Sequence, residues 1–155
     1  ALMAEFAALA GSRRAEFLEL QTPQIDLQGD VIRLMRAKQH GGSKKAESIT
    51  MGPAMRNLAV RLLGLPRPET SLHVFINQQG NPLTESGFTS GWQRAMVDAL
   101  EEGVIQRRFT FHDLRAYYTT QHKELYGALP ELHASTATTA RVYDRSKIAK
   151  RNSLG

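Results

Sequence analysis

The chain has 155 residues, enough for one sizeable core and too few for two full domains. Apolar residues make up 41% and charged residues 23%, which excludes disordered, collagen-like and coiled-coil classes. No cysteine is present, so disulfides and thiolate chemistry are excluded, while a net charge of +5 permits nucleic acid as a partner. No apolar run approaches the ~18 residues of a membrane span. In chain order, Leu2, Met3, Phe6 and Leu9 recur at helical spacing. Glu5 interrupts that stretch and no basic leader precedes it, so it does not read as a signal peptide. A chain that opens inside a core helix without Met is expected of a fragment of a longer protein. Gly11 closes the helix, and Arg13 to Leu20 predicts a second one ended by Pro23. Ile25–Leu27, a Gly29–Asp30 turn and Val31–Met35 predict a hairpin, with Glu47–Met51 as a third strand beyond the polar loop Lys38–Lys45. Pro53 suits the first turn of a helix to about Leu63. Leu72–Ile76 reads as a short β run, followed by a turn at Gln79–Gly80. Ser86–Glu101 is amphipathic, with Phe88, Trp92, Met96 and Leu100 on one stripe. Thr110 can cap a helix from Phe111 to Tyr126, and the chain from Thr136 into the tail Lys147–Arg151 reads as helical. The fold class expected is α+β, mostly helical, with a small three-stranded antiparallel sheet.

The positive charge is clustered. Val31 to Lys45 carries five basic residues (Arg33, Arg36, Lys38, Lys44, Lys45) and no acid. Arg141 to Arg151 carries five more, Lys147 among them, against the single acid Asp144. Any one such run is most simply a solvated face. Two of them, on a hairpin and on the C-terminal segment, fit a surface that replaces the counterions of DNA phosphates.

Three short segments carry the chemistry: Gly11-Ser12-Arg13-Arg14-Ala15-Glu16, Phe111-His112-Asp113-Leu114-Arg115, and His133 through Tyr143. Each alone has a plain structural explanation. Arg13 beside Glu16 reads as a surface ion pair, His112 as a helix-packing residue, Lys38 as a solvated loop lysine and His133 as a satisfied core histidine. In order, the set resembles the catalytic domain of the tyrosine recombinase (phage integrase) family. That family has an Arg-x-x-Glu box, a hairpin lysine, a His-x-x-Arg box, a histidine before a Thr-Thr pair and a C-terminal tyrosine. By position the resemblance assigns Arg13, Lys38, His112, Arg115, His133 and Tyr143 to catalysis. It places Arg33, Arg36, Lys44, Lys45, Arg141 and Lys147 on DNA. Two departures stand out. Ala116 follows the box arginine where family members often carry His, and Tyr143 lies ten residues past His133, one more than the commonest spacing. Tyr117 and Tyr118 sit too close to Arg115 to match the motif, and Tyr126 precedes His133.

The resemblance implies a site-specific DNA recombinase, represented here by its catalytic domain (residues 1–155) with the N-terminal DNA-binding part outside this chain. It implies double-stranded DNA as partner, a homotetramer on two sites, no metal or other cofactor, no membrane, and a bacterial cytoplasmic location. Type IB topoisomerases share the phosphotyrosine chemistry, and a DNA-binding module without catalysis is the plainer alternative. The residue types suit the reaction independently. Guanidinium forks match the charge that gathers on a phosphate under attack, a tyrosine can hold a phosphate ester, and an ammonium can protonate the departing alkoxide.

Overall fold

The computed structural model describes residues 1–36, 46–130 and 149–155. The elements are α1 (Leu2–Ala10), α2 (Arg14–Leu18), a 3₁₀ turn (Thr22–Gln24), β1 (Ile25–Asp26), β2 (Val31–Met35), β3 (Ala46–Thr50), α3 (Pro53–Leu63), α4 (Glu85–Glu101), α5 (Phe111–Tyr126) and β4 (Ala149–Asn152). Helices dominate and one small sheet accompanies them, as the sequence predicts.

The sheet runs β1-β2-β3-β4, one strand more than expected. The first three strands are antiparallel, and β4 lies parallel to β3 with Glu47 opposite Ala149 and Thr50 opposite Asn152. The fourth strand is a correction to the helical tail read from the sequence. Arg151, counted there with the exposed tail, is 4% exposed. The sequence signal misleads here because a parallel edge strand needs no hairpin turn beside it, and a short run of basic residues shows no apolar alternation. The tail after β4 is tied into the fold: Ser153 N–H donates to Thr50 O at 3.0 Å, Leu154 N–H to Leu9 O at 2.9 Å, and Ala54 N–H to Gly155 O at 2.7 Å. The last of these satisfies a donor in the first turn of α3, which has no helical partner of its own.

Leu72–Ile76 forms no strand. Thr22 N–H donates to Leu72 O and Val74 N–H to Leu20 O, while Leu83 N–H donates to Phe75 O. The segment thus bonds to two different neighbours, giving isolated bridges (Gln21 with His73, Ile76 with Pro82) instead of a ladder.

The core joins the sheet to the helices. Ile32, Leu34 and Ile49 point inward from β2 and β3 to meet Met55, Leu58 and Leu62 of α3. At the other end an aromatic cluster surrounds Phe17, with ring centroids 5.1 Å from Phe75, 5.6 Å from Phe88 and 5.3 Å from Phe111. The edge-to-face packing of Phe17 on Phe75 and Phe88 adds to simple burial. The cluster fixes α2, α4 and α5 around one point, and those helices carry the residues of the site.

Candidate active site

Arg13 and Glu16 lie at the start of α2, and their spacing has a local cause. The Glu16 carboxylate, at the third helical position, accepts the Arg13 backbone N–H at 2.8 Å and the Arg13 guanidinium at 3.1 Å. The glutamate therefore caps the helix and aims the arginine at once. Glu16 is buried at 3% exposure, so the pair is not the surface contact that the sequence alone suggests.

On α5, Thr110 caps the helix by accepting from Asp113 N–H, and Asp113 returns the bond to Thr110 N–H and Oγ1. These hydrogen bonds hold the Asp113 carboxyl below its ordinary value. The cap fixes where the helix begins, and His112 and Arg115 follow within its first turn and a half. His112 is exposed, whereas Arg115 is 7% exposed and donates to Gly11 O, just ahead of Arg13.

Gly11 is needed where α1 and α2 meet. It ends α1 in the left-handed conformation at φ 61°, and a Cβ there would overlap the Tyr118 ring. The sharp turn brings Arg13 over to α5. Arg13, His112 and Arg115 consequently line one cleft of about 340 Å³, together with Ser12, Arg14, Glu85, Phe88 and Phe111. Burial, and next the nearby Arg13 charge, push the Arg115 guanidinium down from its ordinary value to about 10. It remains charged at neutral pH, and two guanidiniums crowd toward one opening. Such a cleft suits a tetrahedral oxyanion, whose charge both forks can share.

Arg14 lines the cleft as well, a residue the box spacing alone leaves aside. Its guanidinium lies 3.3 Å from Glu85 at the start of α4 and 6.0 Å from the centroid of the Phe88 ring. The doubled arginine at a helix start is the sequence signal for it. Arg33 stands exposed on β2, 3.5 Å from Asp26, away from the cleft. Arg36 turns inward instead, with its side chain 9% exposed and its Nε 3.3 Å from Glu47. Lys38, Lys44, Lys45, His133, Arg141, Tyr143 and Lys147 lie outside the described residues.

The other tyrosines are accounted for. Tyr118 is fully buried, its hydroxyl donates to Asn152 O, and burial pushes the phenol up to about 12. Tyr126 donates to Ser153 O at 3.0 Å. Tyr117 is exposed on the outer side of α5.

Comparison with known proteins places this architecture. The chain resembles the XerA recombinase structure over 82% of its length, with 20% identity and a TM-score of 0.61. It resembles the Tn1549 transposon integrase in complex with circular intermediate DNA over 81%, with 16% identity and a TM-score of 0.64. It also resembles the XerH site-specific recombinase bound to difH substrate over 82%, with 18% identity and a TM-score of 0.53. The chain spans 44%, 47% and 36% of those three proteins. No curated protein matches its sequence. The phage integrase family profile, by contrast, matches residues 1–126, from the first helix to the end of α5. That stretch contains both arginine boxes and the turn that brings them together, and on it the chain belongs to the phage integrase family.

Proposed function

We propose that this chain is the catalytic part of a site-specific DNA recombinase or integrase that breaks and rejoins double-stranded DNA through a 3′-phosphotyrosyl intermediate. The observation that carries the reading is the convergence of Arg13, His112 and Arg115 on one cleft. The scissile phosphate sits between the two guanidiniums. The Tyr143 oxygen attacks phosphorus, the bond to the 5′ oxygen breaks, and the 3′-phosphotyrosine forms. His112 takes the phenol proton, and Lys38 delivers a proton to the departing 5′ oxygen. A 5′-hydroxyl from a partner duplex then attacks the ester, forms the new phosphodiester and releases Tyr143.

In this reading Arg33, Lys44, Lys45, Arg141 and Lys147 contact the DNA backbone, and His133 assists at the phosphate. The full protein carries a separate DNA-binding part and assembles as a homotetramer on two sites in the bacterial cytoplasm. Among the described residues no helix is long and apolar enough to cross a membrane.

The test is a duplex nicked just downstream of the cleavage site, which traps the covalent product because the short fragment bearing the freed 5′-hydroxyl is lost. A denaturation-resistant protein–DNA adduct that disappears in Tyr143→Phe is the expected result. Retarded complexes without any adduct would leave a binding module, and relaxation of supercoiled DNA by a monomer without strand exchange would favour topoisomerase activity.

A further inference from the structure

Directly behind the cleft lies a buried charged cluster that the mechanism above does not use. Glu47 of β3 is 2% exposed and sits between two guanidiniums, 3.3 Å from Arg36 Nε and 2.6 Å from Arg151 Nε. Arg151 reaches forward from β4. Its Nη1 donates to Ala10 O and its Nη2 to Ser12 Oγ at 3.2 Å, while its guanidinium packs 5.6 Å from the Tyr118 ring centroid. From the other side Arg115 donates to Gly11 O. Three successive residues, Ala10, Gly11 and Ser12, are each gripped by an arginine, and the next residue is Arg13.

Stability alone gives little reason for this cluster, since apolar residues of similar volume commonly replace buried ion pairs without loss. Its geometry does have an evident consequence, because the gripped turn is what places Arg13 against Arg115 and His112. We propose that Glu47 and Arg151 are positioning residues for the cleft. Glu47 aims Arg151, Arg151 and Arg115 together fix the Ala10–Ser12 turn, and the turn sets the spacing of the two phosphate-binding guanidiniums. The proposal rests on the reading that the cleft holds the scissile phosphate. A displacement of about 1 Å in such a pair is enough to cost roughly 100-fold in rate.

The experiment measures adduct formation on the nicked duplex at saturating DNA, and separately the Kd for the same duplex. Arg151→Lys keeps the charge against Glu47 but cannot span Ala10 O and Ser12 Oγ together. Glu47→Gln keeps the shape and removes the charge that aims Arg151. Both are expected to slow the adduct step at least 10-fold with Kd within twofold, and Glu47→Asp to recover part of the loss. Ile49→Val, buried on the same strand, serves as a destabilised control with an unchanged rate. Rates within twofold of the unaltered protein for Arg151→Lys and Glu47→Gln would overturn the proposal, as would a fall in Ile49→Val equal to theirs. Failure of both charged variants to fold would overturn it in favour of a purely structural cluster. If the unaltered protein forms no adduct, the phosphate reading fails, and amide exchange decides the positioning claim by itself. Loss of protection at Gly11 and Arg13 in Arg151→Lys, with Leu58 and Leu62 unchanged, supports it; a uniform change overturns it.

Discussion

Arg115 in the cleft and Arg151 behind it are the same residue type in opposite surroundings. Burial is the largest influence on each and pushes both guanidiniums down. The next influence differs in sign. For Arg115 it is the positive charge of Arg13, and for Arg151 it is the carboxylate of Glu47. The cleft therefore concentrates like charge at an opening, whereas the interior brings opposite charges together and seals them. A site short of negative charge gains from an incoming anion; a site already supplied with it does not. Two arginines that look alike in a charge count thus stand in opposite electrostatic surroundings, one lining the cleft and one sealed in the fold.

The sharpest way to break this distinction is to remove the interior carboxylate. Glu47→Leu leaves Arg36 and Arg151 facing each other without it, and urea unfolding should show a loss of about 3–5 kcal/mol. Arg115→Ala should act on the other axis, lowering the adduct rate by about 10²–10³ with a smaller change in DNA affinity. Equal effects of both variants on stability, and on rate, would erase the difference between the two regions.

Tyr118 stands between them, under Gly11 and beneath Arg151. Tyr118→Phe removes the donor to Asn152 O in a buried place, which should cost about 1–3 kcal/mol in urea unfolding. A loss near zero would mean that β4 does not depend on that anchor.

An anion offers a gentler probe. Inorganic phosphate at ten times its Kd should stabilise the protein by about 1.4 kcal/mol, read as a rise in Tm, and Arg115→Ala should abolish the rise. The pH dependence follows from the same crowding. Burial and the Arg13 charge hold the Arg115 guanidinium down at about 10, so above that pH the native form releases a proton that the unfolded chain still keeps, and this group makes stability increase with pH there. Bound phosphate favours the charged form, moves the native value upward and flattens the slope. A slope that phosphate leaves unchanged would place the anion elsewhere.

How far these regions could be read from the sequence depends on how local their determinants are. The Arg13–Glu16 contact spans three residues and the His112–Arg115 spacing lies within one helix, so both boxes are written in adjacent positions. Thr110 and Asp113 likewise mark the start of α5 in four residues. The Glu47–Arg151 pair joins residues far apart in the chain, across a parallel strand pair that no turn announces. Nothing local distinguishes Arg151 from the other basic residues of the Lys147–Arg151 run, and a run of charge reads as surface. Arg36 shows the same limit: strand alternation makes Arg33 outward-facing, but the inward turn of Arg36 is set by Glu47 on the next strand. The Leu72–Ile76 segment has strand composition, yet its hydrogen bonds divide between two partners, and composition carries no record of partners.

The smallest effect concerns Arg14, which shares the cleft with Arg13 but pairs with an exposed carboxylate. Its side chain is 41% exposed and that of Glu85 64%, so the pair should contribute about 0–1 kcal/mol to stability. Arg14→Ala and Glu85→Gln are both expected to leave Tm nearly unchanged. On DNA they should separate. A guanidinium at the cleft mouth that meets a backbone phosphate releases about one condensed counterion, so Arg14→Ala should reduce the salt slope of log K by about 1, uniformly across duplex sequences. Glu85→Gln removes a negative charge from the same rim and should tighten binding at low salt. If Arg14→Ala instead lowers the adduct rate at saturating DNA while the salt slope stays fixed, Arg14 belongs with Arg13 and Arg115 at the reacting phosphate, and the cleft works with three guanidiniums in place of two.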